Sequence, residues 1–180
     1  MGRPQGPVIE AGVGIIRKPK KPARSAAQSV ALTPEMMARD GSEHGHQSAL
    51  MVWASEQERL PGFEPLRWLH AIPNGGDRDR ITAGRMKAEG VKSGVLDLFL
   101  PHARGGYFGL MIEMKKPEQI LTNGKKSPAG TLSDNQKSYI KFVKAEGFAA
   151  VTCWTWEQAR DVLLLYFTWA PTAQQPKVVP

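Results

Sequence analysis

Apolar positions along this chain come in short blocks separated by Gly, Pro, Asn and Ser, and the blocks switch between helical and strand periods. Thr33-Pro34-Glu35 is a helix start, with Thr as the cap and Pro at the first helical position. A longer helix is expected from Ser42 to about Arg59, ended by Pro61-Gly62. Leu66–Ile72 (LRWLHAI) reads as a strand halted by Pro73-Asn74-Gly75-Gly76, and Asp79–Glu89 as a short polar helix closed by Gly90.

The centre reads as a hairpin. Gly94–Leu100 (GVLDLFL) and Tyr107–Lys115 (YFGLMIEMK) are strand-like runs joined by the turn-rich Pro101–Gly106, and Lys116–Leu132 reads as a loop. Ser133-Asp-Asn-Gln136 has the spacing of a capping box, so a helix starts there and runs to Glu146, with Gly147 as its stop. Phe148–Trp154 is another strand. Thr155-Trp-Glu-Gln158 repeats the capping signature and opens a last helix through Leu163–Phe167. The order helix, strand, hairpin, helix, strand, helix predicts an α/β fold with a small mixed sheet flanked by helices.

The ends differ from this middle. Residues 1–32 mix Gly, Pro, Ala and Lys without an apolar period, which predicts a disordered basic tail, and 171–180 reads as a second tail, leaving 33–170 as the folded domain. The basic tail serves either as a DNA-contacting arm or as a solubilising leader.

Charge and cysteine content narrow the partners. The formal charge is +7, with seven basic against three acidic residues over 1–42 and seventeen against fourteen over the rest. That excess favours a polyanion. The one cysteine, Cys153, has no intramolecular partner for a disulfide, and no apolar run is long enough to span a bilayer. A soluble protein without membrane association, working in the cytoplasm, is expected.

The chemistry gathers on the hairpin. Side chains alternate along a strand, so Glu113 and Lys115 project from one side, with Met111, while Phe108, Leu110, Ile112 and Met114 form the apolar side. The link allows the first strand to lie alongside, bringing Asp97 across from Glu113. Asp97 interrupts an otherwise apolar run, and a carboxylate in such a strand calls for a partner or a metal. Two converging carboxylates suit Mg²⁺ or Mn²⁺, which acidifies a water and neutralises a phosphate oxygen. Lys115 is placed to orient that water or to stabilise developing charge. The competing reading is an ordinary surface ion pair between Glu113 and Lys115.

With these residues in place the chain resembles a known family. Gly94-Val-Leu-Asp97 followed by Ile112-Glu113-Met114-Lys115 matches the D…ExK pattern of the PD-(D/E)XK nuclease superfamily, with its restriction-endonuclease-like core. Four further landmarks make it similar to the virus-type replication-repair nuclease (VRR-NUC) domain: Ser42-Glu43, Pro73-Asn74-Gly75-Gly76, Gly90-Val91-Lys92-Ser93-Gly94, and Leu132-Ser133-Asp134-Asn135-Gln136. The resemblance spans roughly Ser42 to Leu165. Val95 stands where the superfamily's name-giving proline would be.

The resemblance implies a Mg²⁺- or Mn²⁺-dependent deoxyribonuclease. It implies that Asp97, Glu113 and the Met114 carbonyl bind the metal, with Glu43 as an additional acidic ligand, that Lys115 positions the attacking water, and that Gln136 completes the active site. Small stand-alone members from phages and bacteria are similar to dimeric resolvases of branched DNA such as four-way junctions, so a homodimer acting on branched or double-stranded DNA is expected. The alternative is a non-catalytic DNA-binding module that retains the nuclease fold.

The remaining residues read two ways. Gln136 has a sufficient structural role as the third residue of a capping box, yet it shares a helical stripe with Ile140 and Val143 and so points inward, where an amide needs partners. Glu43 sits in the first turn of its helix, where the macrodipole favours a carboxylate anyway. Asn74, Gly75 and Gly76 with Arg78 and Arg80 are either a phosphate-gripping loop or a plain turn, and Arg85, Lys87 and Lys92 extend the same basic region. Lys125 and Lys126 lie in a loop that either closes over a duplex or is merely solvated. His44, His46, His70 and His102 have no zinc spacing with a cysteine, and the five tryptophans are expected in core or interface. The last helix supplies either a dimer interface or a cover for the sheet.

Overall fold

The computed structural model describes residues 32–73, 84–86 and 88–173, all within one compact unit, Leu32–Pro180. The helices are α1 (Pro34–Met37), α2 (Glu43–Gln57), α3 (Asp134–Ala145) and α4 (Trp156–Thr168). The strands are β1 (His70–Ala71), β2 (Leu98–Leu100), β3 (Leu110–Met114), β4 (Gln119–Ile120), β5 (Lys126–Ser127) and β6 (Ala149–Cys153). The main sheet has the order β1-β2-β3-β6, antiparallel across the first three strands and parallel between β3 and β6. This is the mixed sheet flanked by helices that the pattern predicts.

Each helix begins where a side chain satisfies an orphan backbone donor. Ser42 Oγ accepts from Gly45 N–H at 2.9 Å and starts α2. Ser133 Oγ accepts from Gln136 N–H at 3.3 Å and starts α3. Thr155 Oγ1 accepts from Gln158 N–H at 3.3 Å and starts α4. At α4 the reciprocal half of the box is displaced, because Gln158 Oε1 accepts from Trp154 N–H rather than from the cap residue.

The pleat divides the sheet into two faces. Leu98, Leu100, Leu110, Ile112 and Met114 face one core with Ala49, Leu50 and Trp53 of α2 and Ala159, Leu163 and Tyr166 of α4. Met111, Leu96 and Ala150 face a smaller core under Val143 of α3, with Phe99, Tyr139, Ile140 and Phe148 packed at its edge. α4 therefore covers the sheet on its inner side, while Leu164 and Leu165 on its outer side are exposed.

Several expected elements are corrected. Leu66–Ile72 is mostly not strand: Glu64–Trp68 is a 3₁₀ turn, opened by Pro65, and only His70–Ala71 pairs with β2. Trp68 is 63% exposed, so it is not a core residue. Phe108, expected on the apolar side of the second strand, lies before β3 and is exposed, with its ring against Phe148. The stretch Lys116–Leu132 is not a plain loop, because β4 and β5 form a two-stranded ribbon within it. Its strands are two residues each, too short for a period-two signal, and only Asn123-Gly124 marks the turn. Pro171 and Thr172, expected to begin a tail, are tied down: Pro171 bridges Arg104, and Thr172 Oγ1 donates to Tyr107 O at 2.9 Å. Of the helix expected over Asp79–Glu89, residues 84–86 and 88 are helical, and Gly90 ends it with φ +95° as Val91 N–H reaches back to the Met86 carbonyl.

One glycine joins two landmark segments. Gly94 has φ +90°, and a Cβ there would lie 2.6 Å from the Asn135 carbonyl carbon. Beside it, Asn135 Nδ2 donates to Ser93 Oγ at 3.1 Å. The approach to Asp97 is thus stitched to the first turn of α3. Gly94→Ala is expected to lower stability by about 2 kcal/mol through both the left-handed backbone and the collision. Urea denaturation checks it, and a change within about 0.5 kcal/mol would contradict the contact.

Candidate active site

The register places the acidic pair. Leu98 pairs with Ile112, so one residue further along each strand Asp97 stands opposite Glu113. Glu113 shares the α3 face with Met111. The negative charge of Asp97 acts on the Glu113 carboxyl, so the two carboxyls are neighbours at the end of the smaller core. The backbone at Asp97 is held by Ile72 N–H, which donates to its carbonyl at 2.7 Å. Its side chain is held by Met114 N–H, which donates to Oδ2 at 2.8 Å.

Glu113 is fully buried at 0% exposure. Its Oε1 accepts from Lys115 Nζ at 2.5 Å and from Gln136 Nε2. Its Oε2 is also buried, and no group in the described structure donates to it. A buried carboxylate oxygen without a partner costs several kcal/mol unless the carboxyl is protonated or a cation arrives. Burial raises the Glu113 pKa to about 7; the negative charges of Asp97 and Glu43 push the same way, against the Lys115 hydrogen bond and charge. Burial alone would lower Lys115, but its hydrogen bond to Glu113 and the charges of Glu113, Glu43 and Asp97 hold it above its ordinary value.

Gln136 answers to both of its sequence readings at once. Its Oε1 accepts from Ser133 N–H at 2.9 Å, closing the capping box, while its Nε2 donates to Glu113. Because Ser133 N–H is a donor, the amide oxygen must face it and the amide nitrogen must face the carboxylate. One side chain thereby couples the start of α3 to the buried acid. Glu43, the first residue of α2, is half-exposed at the rim, with Oε2 3.8 Å from Lys115 Nζ.

Lys115 itself is 8% exposed and is enclosed by its neighbours. Its N–H donates to the Cys153 carbonyl at 2.8 Å. Gly130 packs against its stem: a Cβ there would be 3.3 Å from Lys115 Cδ. Trp154 Nε1 fixes Gly130 by donating to its carbonyl at 2.9 Å. No sequence signal marks Gly130 or Trp154 as supports of the lysine, since both act through the ribbon's return path.

Asp97, Glu113, Lys115, Gln136 and Glu43 are therefore brought together, from the residue before β2, from β3 and the residue after it, and from α3 and α2. The residues suit a hard divalent cation: Glu113 Oε2 lacks a donor, and Asp97 Oδ1 makes no hydrogen bond among the described residues. Among those residues no three acidic, imidazole or thiol groups already form a closed cage, and Mg²⁺ ordinarily uses one or two carboxylates and keeps several waters.

The model of the VRR-NUC domain matches residues 35–155. The chain belongs to the VRR-NUC family. A solved structure titled as a VRR_NUC domain protein aligns with a TM-score of 0.53 and 26% sequence identity, over 72% of this chain and 91% of its own. Among curated proteins no match is found. Membership in the VRR-NUC family carries a nuclease-type, DNA-processing function.

The expected DNA-contacting residues are placed only in part. Asn74, Gly75, Gly76, Arg78, Arg80 and Lys87 lie outside the described residues. Arg85 and Lys92 are exposed, Lys92 two residues before the Gly94 contact with α3. The four histidines take no part in the site: His46 is buried and its Nδ1 accepts from Trp156 N–H at 3.2 Å, joining α2 to α4. No helix among the described residues is long and apolar enough to cross a membrane.

The Glu113 shift has a definite sign. The unfolded carboxyl releases its proton near its ordinary 4.5, the folded one near 7, so the metal-free protein loses stability as pH rises through that window. Glu113→Gln removes the loss. Without metal the variant should melt higher than wild type by roughly 5 °C at about pH 8 and nearly equal it at about pH 4.5. Equal or lower melting at the higher pH would show that the carboxyl is not held protonated by burial.

Proposed function

We propose that this VRR-NUC protein is a Mg²⁺- or Mn²⁺-dependent endonuclease that hydrolyses DNA phosphodiester bonds, selective for branched forms such as four-way junctions or flaps. The observation that carries the metal dependence is the buried Oε2 of Glu113, which has no donor among the described residues and lies within reach of the Asp97 charge. Asp97, Glu113 and the Met114 carbonyl would hold the ion, with Glu43 at the rim. When bound, such an ion supplies an acidified water and offsets charge on the scissile phosphate.

The chain's own residues do the rest. Lys115, charged and pinned at 2.5 Å from Glu113, orients the attacking water and stabilises charge that develops on phosphate oxygens. Gln136 holds the Glu113 carboxyl in one rotation, so that Oε2 rather than Oε1 is presented. A cation at Oε2 also relieves the burial penalty, so binding and folding are linked.

Branch selectivity and a homodimer belong to the same proposal. A two-fold pair of sites matches two like strands at a junction. The exposed Leu164 and Leu165 on α4 are apolar groups such an interface would use. The buried free thiol of Cys153 accords with work in the cytoplasm.

The test uses labelled linear, flap and four-way DNA with and without Mn²⁺. The expected result is Mn²⁺-dependent cleavage, with branched forms preferred, and a loss of at least about 100-fold in Lys115→Ala while DNA binding persists. Binding without cleavage of any of the three would instead establish the non-catalytic DNA-binding reading.

A further inference from the structure

The β4–β5 ribbon follows the catalytic lysine directly and is fastened at its base on two sides. Lys116 Nζ donates to Ser127 Oγ at 2.5 Å across the ribbon, and Gly130 N–H donates to the Lys116 carbonyl at 2.9 Å. Gln119 Nε2 donates to the Gly41 carbonyl, two residues before Glu43. The base is therefore tied to both rims of the acidic site.

Its tip is a tight, ordered turn. Leu121 N–H donates to the Lys125 carbonyl at 2.9 Å, Gly124 N–H to the Leu121 carbonyl at 2.8 Å, and Lys125 N–H to Asn123 Oδ1 at 3.0 Å. Gly124 has φ +75°, a backbone state that the turn requires.

What this turn presents is unusual for a polar ribbon. Ile120 is 75% exposed and Leu121 43% exposed, side by side. Both leave apolar surface in water that burial against a partner would remove. Lys125 and Lys126 flank them, and over 116–127 three lysines face one acidic residue, Glu118, which pairs with Lys126 at 3.1 Å. Five residues of extended chain place Ile120 at most about 18 Å from Lys115, within reach of the DNA held at the site.

Apolar side chains flanked by ammonium groups, on a hydrogen-bonded ribbon, are suited to a polyanion that also offers exposed base faces. Continuous duplex hides those faces by stacking, and a branch point exposes them. Apolar wedges of this kind enter base steps and are repaid by contact with the opened DNA, and lysines on either side hold the backbone phosphates without reading sequence. We infer that the β4–β5 ribbon is the branch-sensing element of the protein, inserting Ile120 and Leu121 against unstacked bases at a DNA junction while Lys125 and Lys126 grip the adjoining phosphates. This rests on the proposal that the site hydrolyses DNA, and it assigns the preference for branches to a part of the chain outside the acidic centre.

The experiment is a binding and cleavage comparison of wild type with the double variant Ile120→Ser/Leu121→Ser. Both residues are exposed, so the fold should be kept, which an unchanged melting temperature checks. Binding is measured by anisotropy in chelator on a four-way junction and on a linear duplex of the same sequence, with 2-aminopurine at the branch reporting unstacking. The expected result is roughly 10-fold weaker junction binding by the double variant, less than about 2-fold change on the linear duplex, and loss of the 2-aminopurine signal. Retained junction preference and signal in the double variant, or equal weakening on both DNAs, overturns the assignment, as does a wild type that shows no preference. Mn²⁺-dependent cleavage of linear duplex by both proteins alongside such a result would leave the nuclease reading standing, whereas a wild type that cuts no DNA sinks that reading itself.

Discussion

The structure turns on one carboxyl group. Glu113 lies in the middle of a packed sheet with one oxygen held by Lys115 and Gln136 and the other lacking a donor among the described residues. Nothing in folding alone calls for such an arrangement, since an apolar side chain at that position would pack without penalty. On the proposed reading Oε2 is a coordination position for a hard cation, with Asp97 supplying the second oxygen, and that would offset the cost. Burial raises the proton affinity of Glu113, and on the same reading it would strengthen the attraction for a divalent ion that replaces the proton.

The rest of the fold serves to keep that group in place. β2 and β3 set Asp97 opposite it, and the parallel pairing of β3 with β6 fixes the backbone of Lys115 through the Cys153 carbonyl. The first turn of α3 reaches it by Gln136, and that turn is itself seated on Gly94 and Ser93, the segment that leads into Asp97. Two stretches far apart in the chain thereby hold one another and the acid between them. Glu43 joins from α2, capped by Ser42, through its ion pair with Lys115.

Much of this was legible in the residues. The order of elements followed from apolar period and caps, and Asp97 and Glu113 were placed together because a carboxylate within an apolar strand and an acid–lysine pair on one strand face needed a common purpose. Gln136 is readable either as cap or as site residue, and in the fold a single amide takes both places with its two ends. Leu66–Ile72 departs from the expected strand because apolar spacing in a short segment does not distinguish a 3₁₀ turn from a strand, and Pro65 opens the turn. The ribbon was missed for a different reason. Its pairing is sustained by a turn and by lateral anchors such as Gln119 on Gly41, contacts across 78 residues that no local pattern carries.

The most direct test of the central claim is a crystal of the metal-free protein soaked in Mn²⁺, with anomalous differences collected above the manganese edge. The account predicts one or more peaks between the Asp97 and Glu113 carboxyls, with Glu113 Oε2 in the coordination shell and Lys115 still on Oε1. Absence of any peak there at millimolar Mn²⁺, or manganese bound elsewhere with Glu113 Oε2 still uncoordinated, would contradict it.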